Sequence, residues 1–458
     1  METIKLEQLI ESTDAEVTDR PCDLSVTITG VSIDSRTTKP GDCFFAVGGE
    51  NFDGHDFLGQ AISNGACCAV VSKPVEGPAV PLLLVEDPVM ALGRLAKWYR
   101  GRIAAKVIAI TGSTGKTSTR QIIHHVLKES CNCHQPIKNF NNAIGLPLTI
   151  LSTDRSCEVL ITELGTNHPG EIEYLTKIAQ PDIALITNVA PAHIAGLGSI
   201  QNTIKEKCSI AIGLRPNGKL IINGNQKELL DHCVANRIEF LTFGTTPGCD
   251  VTATDLATTG PAGRLTIADK EVTVPLAGMA NLHNTLAAWA VCSQLQISIL
   301  DFASSIETAQ PVNMRLNILP LGRVTVIDDC YNASPTSMAN ALDCLGRIAA
   351  GTASRPVFIC GSMAELGSQS QALHAQLGEE IARSCVKLLL AVGPFAKTIA
   401  DSAMTGADKP LAAHVFENTD TLCGKLHDFA ASDDIILIKG SRNAKLELAI
   451  EKLKRLFA

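Results

Sequence analysis

From Lys106 onward, short apolar runs rich in β-branched residues alternate with stretches whose apolar positions recur every three or four residues. The runs KVIAI, VLITELG, IALITNVA, GKLIING and EFLTFG predict strands, and the stretches between them predict helices. That rhythm implies right-handed βαβ units on a mostly parallel sheet. Before it, residues 1 to 85 read as a small α/β domain. A helical opening is followed by VTITGVSID, which alternates as a strand should, a Lys39-Pro40-Gly41-Asp42 turn, and the buried strand CFFAV. DPVMALGRLAKWYRG, at 87–101, predicts a helix leading into the second domain. Between about Asp250 and Pro275 the pattern shortens to alternating segments, as in an antiparallel hairpin region. GMANLHNTLAAWAVCSQL then resumes a helix, with Asn281 and Asn284 one turn apart on one face. Near residue 312 a third unit begins, with RVTVIDD, PVFICG, VKLLLAVG and DDIILIKG as four strands of a small doubly wound sheet. The expected architecture is therefore α/β in three domains, 1–85, 86–311 and 312–458, the last two a phosphate-loop domain and a Rossmann-like domain.

Candidate chemistry concentrates where KVIAI runs into TGSTGKTST and then RQIIHHV. A strand, a Gly-rich turn and a helix in that order form a phosphate loop: Gly112 and Gly115 let successive N–H groups point at phosphate oxygens, and the helix start adds its positive dipole end. Residues Gly112, Ser113, Thr114, Gly115, Lys116, Thr117 and Ser118 would make the cradle. Lys116 would meet the outer phosphates, and the Thr117 hydroxyl would hold Mg²⁺. The loop is shorter than G-x-x-x-x-G-K-[ST], because Ile110 stands where the first Gly of that pattern would be.

Other polar residues fall at predicted strand ends, where open α/β sheets bind ligands. Glu163 ends VLITELG and could share the Mg²⁺ with Thr117. His193 follows IALITN. Asp34, Ser35 and Arg36 follow the N-terminal strand, and Asp328 and Asp329 precede Tyr331 and Asn332, a set suited to ribose hydroxyls and a base. Lys205 and Lys207 stand in a helical stretch, where lysines ordinarily face solvent.

Composition narrows the classes. The chain has 458 residues, more than one hydrophobic core usually supports, and 19% charged residues, an ordinary globular balance. A net charge of −8 leaves no basic footprint for nucleic acid, so nucleotide phosphate is the expected anion. METIKLEQLIEST has charges spread through it and is not a signal peptide, and no stretch approaches the roughly 20 apolar residues of a membrane span. The expectation is a cytoplasmic chain. Its 16 Cys then read as reduced, mostly buried residues; Cys131, Cys133 and His134 cluster, but no second pair has matching spacing.

TGSTGKTS, NFNNAIGLPLT, ELGTNHPGEI, NVAPAHIAGLGS, MANLHNTLAA, DDCYNASP, GSMAELG and KGSR, in this order, closely resemble the Mur ligase family of peptidoglycan synthesis. IDSRTTKPGDCFFAVGGENFDGHDF is similar to the family's UDP-binding domain, so the resemblance spans nearly the whole chain. The ELG-x-N-H-x-G-E-I, DD-x-YNA, MAELG and KGSR segments look most like the member that joins D-alanyl-D-alanine to UDP-N-acetylmuramoyl-tripeptide (UDP-MurNAc-tripeptide). The resemblance implies ATP on Gly112–Ser118, with Lys116 on the outer phosphates and Thr117, Glu163 and His193 around Mg²⁺. Lys207 matches the family lysine that CO₂ carbamylates into a metal ligand. Asn281 would contact adenine, Arg315 the phosphates or ribose, and Asp329 the ribose. Asp34, Ser35 and Arg36 correspond to UDP contacts, and Ser441 and Arg442 to positions near the amino-acid acceptor. A monomer is expected. Three places depart from the usual family pattern: Cys208-Ser209 follow Lys207 in place of Gly-Glu, Ser362 replaces Asp before MAELG, and Leu446 replaces a Met after KGSR.

Three other readings compete: a single-amino-acid or folate-type ligase of the same superfamily, a phosphate-loop switch or motor ATPase, and a non-catalytic nucleotide-binding descendant. The N-terminal domain speaks against a folate ligase. The missing first Gly and the lack of an identifiable arginine finger speak against a switch. The presence of Lys116, Thr117, Glu163, His193 and Lys207 speaks against a non-catalytic protein.

Overall fold

The computed structural model describes residues 1–17, 23–49, 52–76, 80–136, 139–191, 194–407 and 409–457. It is α/β throughout and carries three principal sheets. The first has five strands in the order Glu16–Val17, Leu82–Leu84, Cys68–Val71, Asp42–Phe45, Gly30–Ser32, parallel except at the Glu16–Val17 edge. VTITGVSID is not one strand. Thr27–Ile28 pairs with Ile4–Lys5 in a separate ribbon, whereas Gly30–Ser32 joins the five-stranded sheet. Gly30 admits this pairing because a Cβ there would lie 2.2 Å from the Asp42 carboxylate.

The central sheet has nine strands. Lys106–Thr111 lies between Val159–Glu163 and Ile183–Ile186, parallel to both, and its Val107, Ile108, Ala109 and Ile110 are wholly buried. Burial on both faces explains why this strand is a continuous apolar run. The chain leaves Lys106–Thr111, adds Val159–Glu163 on one side and Ile183–Ile186 on the other, so the carboxyl ends of these three strands form a switch point where side chains from both directions converge. Further out, Lys219–Asn223 and Leu241–Gly244 continue the parallel order, and Val251–Thr259, Ala262–Ile267 and Lys270–Val274 add an antiparallel meander, as the alternating pattern predicts.

The helix Pro88–Arg100, capped by Asp87, joins the first two sheets. Tyr99 donates its hydroxyl to the Thr153 carbonyl at 2.7 Å, and the buried Arg100 guanidinium bonds the Ala179 and Gln180 carbonyls and Asp182.

The third sheet runs Asn317–Leu321, Val324–Asp328, Asp434–Lys439, Arg355–Gly361, Leu388–Val392, Ala412–Phe416. Four of these strands are the expected ones. Asn317–Leu321 and Ala412–Phe416 are additional edge strands, partly exposed, and Pro320 and His414 interrupt their apolar residues. No helix among the described residues is long and apolar enough to cross a membrane.

Candidate active site

The loop after Lys106–Thr111 curls because its two glycines take backbone conformations that side chains rarely adopt, φ +151° at Gly112 and +81° at Gly115. Neither position has room for more: a Cβ on Gly112 would fall 1.9 Å from Thr187 Oγ1, and one on Gly115 2.4 Å from Asn284 Oδ1. The strand end that follows Ile183–Ile186 holds the loop in place. Ser113 N donates to the Asn188 carbonyl, Thr114 N to Asn188 Oδ1, and the Thr187 hydroxyl to the Thr114 carbonyl at 2.6 Å. The helix Lys116–Leu127 begins directly behind it and buries Ile122, Ile123, Val126 and Leu127.

Lys116 folds back over the loop, its Nζ donating to the Gly112 carbonyl at 2.7 Å, and burial pushes its ammonium below the usual lysine range. The Thr117 hydroxyl donates to Glu163 Oε2 at 3.2 Å and accepts from the Arg315 guanidinium at 3.2 Å. Glu163, at the carboxyl end of its strand and 1% exposed, faces the Arg120 guanidinium on its other oxygen at 2.9 Å. Phosphate loop, hydroxyl and carboxylate thus meet at one point, with an arginine reaching in from the third sheet's domain.

That point opens into a cleft of about 820 Å³. One wall is Ser113–Ser118, Asn139, Asn167 and Asn281; the other is Arg315, Asp329, Tyr331, Ser441 and Arg442. The Arg315 guanidinium lies over the Tyr331 ring at 4.3 Å, which preorganises the cation as it reaches Thr117. Tyr331 therefore meets an arginine here. Asp329 and Lys439 sit at the carboxyl ends of adjacent parallel strands and form a buried pair, with Lys439 also donating to the Asn332 carbonyl at 3.0 Å. Burial raises the Asp329 carboxyl above its usual range even beside Lys439. Asn281 is on the cleft wall, with its amide donating to the Ala277 carbonyl and accepting from Asn284.

Lys207 does not face solvent as its helical stretch suggests. Helix Ile200–Cys208 exposes Lys205 and buries Lys207 to 2%, because the helix packs between Glu171–Ala179 and Lys227–Ala235. Burial, with repulsion from Lys116, pushes the Lys207 amine well below the usual lysine range. Its neighbour Glu206 turns the other way and accepts from the N–H groups of Gly170 and Ile172, fixing the loop that carries Asn167.

Asp34, Ser35 and Arg36 are not among the residues lining the cleft. They form a turn on the N-terminal domain, in which Asp34 takes both Nε and a terminal nitrogen of Arg36, and Ser35 donates to Gln60. His193 lies outside the described residues. Arg120, Lys439 and the asparagines of NFNNAIG are site residues that the sequence reading did not single out. KGSR and NFNNAIG contain the latter two sets, and the i, i+3 spacing of Thr117 and Arg120 puts both on one helix face.

The donor set suits a nucleotide with a hard divalent cation: a glycine cradle with no room for Cβ atoms, a lysine on it, and a hydroxyl beside a carboxylate. Comparison with known proteins agrees. Family models match at residues 27–100 (Mur ligase family, catalytic domain), 110–292 (Mur ligase middle domain) and 314–442 (Mur ligase, glutamate ligase domain). A UDP-N-acetylmuramoyl-tripeptide--D-alanyl-D-alanine ligase of Buchnera aphidicola is 33% identical over 444 residues, 94% of this chain and 93% of its own. Among solved structures, MurF of Acinetobacter baumannii superposes with a TM-score of 0.91 at 30% identity, covering 99% of both chains. MurF of Thermotoga maritima, in complex with ADP, gives 0.81 at 27% identity over 93% of this chain and 97% of its own. With family models over most of its length and relatives this similar, the chain belongs to the Mur ligase family of ATP-dependent ligases.

Proposed function

We propose that this protein joins D-alanyl-D-alanine to the terminal carboxylate of UDP-MurNAc-tripeptide, with ATP converted to ADP and phosphate. The observation that carries the reading is the cleft in which Lys116 and Thr117 on one wall face Arg315, Ser441 and Arg442 on the other. The similarity to tripeptide–D-alanyl-D-alanine ligases over nearly the full chain supports the choice of substrates.

A carboxylate is inert to amines until it carries a leaving group. Its oxygen attacks the γ-phosphorus of ATP, ADP departs, and the acyl phosphate forms. Lys116 swings from the Gly112 carbonyl to the outer phosphates, and Arg315, held flat by Tyr331, offsets charge on the transferring group. Mg²⁺, seated by Thr117 and Glu163 with His193 as a further ligand, would supply Lewis-acid polarisation of the phosphate oxygens. The dipeptide amine then adds to the acyl carbon, and the tetrahedral intermediate expels phosphate. Ser441 and Arg442 stand where the dipeptide would enter, Asn281 and Asp329 where adenine and ribose would lie, and the Asp34–Arg36 turn is the candidate seat of the UDP end.

Lys207 fits a carbamate. Burial and the nearby Lys116 shift its amine toward the neutral form, the form nucleophilic toward CO₂; the N–C bond forms, one proton leaves, and the result is an anion beside Lys116. The domains 1–85, 86–311 and 312–458 divide the work into UDP anchoring, ATP binding and closure over both. Both cleft walls come from one chain, which supports a monomer, and a cytoplasmic location would supply the ATP.

The test is phosphate release from ATP with UDP-MurNAc-tripeptide present and D-alanyl-D-alanine added or withheld, with product mass followed. Phosphate that tracks a product heavier by one dipeptide unit supports the reading. ATP turnover indifferent to both substrates overturns it.

A further inference from the structure

Among the described residues, Glu163 is the carboxylate at the Thr117 hydroxyl, and it is already paired. Its Oε1 lies 2.9 Å from Arg120 Nε, with both side chains buried to within 3% of full burial. Arg120 is itself fixed, because its terminal nitrogen donates to the Pro136 carbonyl at 2.6 Å. That bond holds the guanidinium against Glu163. Around this pair stand Lys116, whose Nζ lies over the loop, and Arg315, bonded to Thr117. The loop end thus gathers three cationic side chains around one buried carboxylate. A free divalent cation approaching Thr117 and Glu163 meets a net positive field, and in a buried site such repulsion is only weakly screened. Nucleotide phosphates reverse the sign of that field.

We propose that Arg120 makes the cation seat depend on nucleotide: by neutralising Glu163 it denies the Thr117–Glu163 seat to a free divalent ion, so the metal enters only with the phosphates that outweigh the surrounding cations. Arg120 is then a positioning residue acting through Glu163. This rests on the nucleotide and cation site proposed above, but not on the identity of the tripeptide or dipeptide. A purely structural role for the pair would tie helix Lys116–Leu127 to strand Val159–Glu163 and have no effect on when the metal binds.

Free Mn²⁺ in solutions of the full chain, followed by electron paramagnetic resonance with and without ADP, separates the two. Wild-type protein is expected to take up Mn²⁺ with ADP and to bind it at least tenfold more weakly without. Arg120→Gln, which replaces the charged guanidinium with a neutral amide, is expected to gain at least tenfold in Mn²⁺ affinity without ADP. Arg120→Lys, which keeps the charge, should behave as wild type, and Glu163→Gln added to Arg120→Gln should abolish the gain. Circular dichroism checks that each variant is folded. If Arg120→Gln does not fold, Arg120→Met compared with Arg120→Lys reads the same loss of charge. Nucleotide-free Mn²⁺ binding by the wild type as tight as with ADP, or a folded charge-removing variant with no gain, overturns the proposal. A wild type that takes up no Mn²⁺ even with ADP overturns the cation site and this proposal together. A chain that binds Mn²⁺ with ADP but does not join the dipeptide leaves the proposal standing and overturns only the substrate assignment.

Discussion

Gly112→Ala tests whether the cradle works through backbone geometry. The new Cβ would sit 1.9 Å from Thr187 Oγ1 and 3.3 Å from Asn188 N, on a residue held at φ +151°. Thr187 cannot retreat cheaply, since its hydroxyl bonds the Thr114 carbonyl and its neighbour Asn188 holds Ser113 N and Thr114 N. Backbone strain of about 1–3 kcal/mol plus the loss of one such bond, about 1 kcal/mol, comes to about 2–4 kcal/mol. If the loop absorbs this by leaving its phosphate-binding shape, affinity for ATP falls by about 30-fold to several hundredfold. Isothermal titration calorimetry with a non-hydrolysable ATP analogue and Mg²⁺ measures it. Gly248→Ala is the control: φ is +96° there, but nothing lies within 4 Å of the added carbon and the residue does not line the cleft. It should lower stability slightly and leave nucleotide binding alone. A folded Gly112→Ala protein that binds the analogue within threefold of wild type would refute the cradle argument.

Lys116→Met should keep the fold and reduce phosphate release by about 10²–10³-fold, the loss typical of removing one preorganised charge stabiliser, with little change in KM for the UDP substrate. Lys439→Met leaves Asp329 buried and unpaired, at about 3–5 kcal/mol, so amide exchange in Val324–Asp328 measured by mass spectrometry should speed up about a hundredfold or more. Adding Asp329→Asn should recover part of that protection, and a further loss would count against the pairing argument. Lys207 has a folded pKa below its unfolded value of 10.5, so between the two the unfolded chain binds the extra proton and wild-type stability falls as pH falls. In CO₂-free buffer the urea midpoint of Lys207→Met should therefore rise relative to wild type as pH drops below the unfolded value of 10.5. A constant difference below that value would contradict a buried neutral amine.

Much of the molecule is legible in the chain because its signals are local. The run KVIAI and the glycines at 112 and 115 specify a strand and a turn by burial pattern and φ preference alone, and the alternation after Asp250 specifies an antiparallel meander. Asn317–Leu321 and Ala412–Phe416 escape the same reasoning because Pro320 and His414 break their short apolar runs, as partly exposed edge strands tolerate. VTITGVSID misleads for a related reason: alternation identifies extended chain but not which neighbour it pairs with, and here two halves pair in two different sheets.

Lys205 and Lys207 show where the sequence stops deciding. Both occupy one helix with the same side-chain chemistry, and only the packing of that helix against its neighbours exposes the first and buries the second beside Lys116. Likewise Arg120 and Glu163 lie 43 positions apart, and Asp329 and Lys439 are 110 apart. They meet because elements remote in sequence, a helix and a strand in the first case and two strands in the second, become neighbours at the carboxyl edge of a sheet. By itself the sequence determined the element types, the alternation of strand and helix, and the phosphate loop, all set by interactions within a few residues. Tertiary structure alone decided which charges are paired, which are buried and which face the cleft, because burial and long-range pairing depend on how sheets stack and not on local spacing.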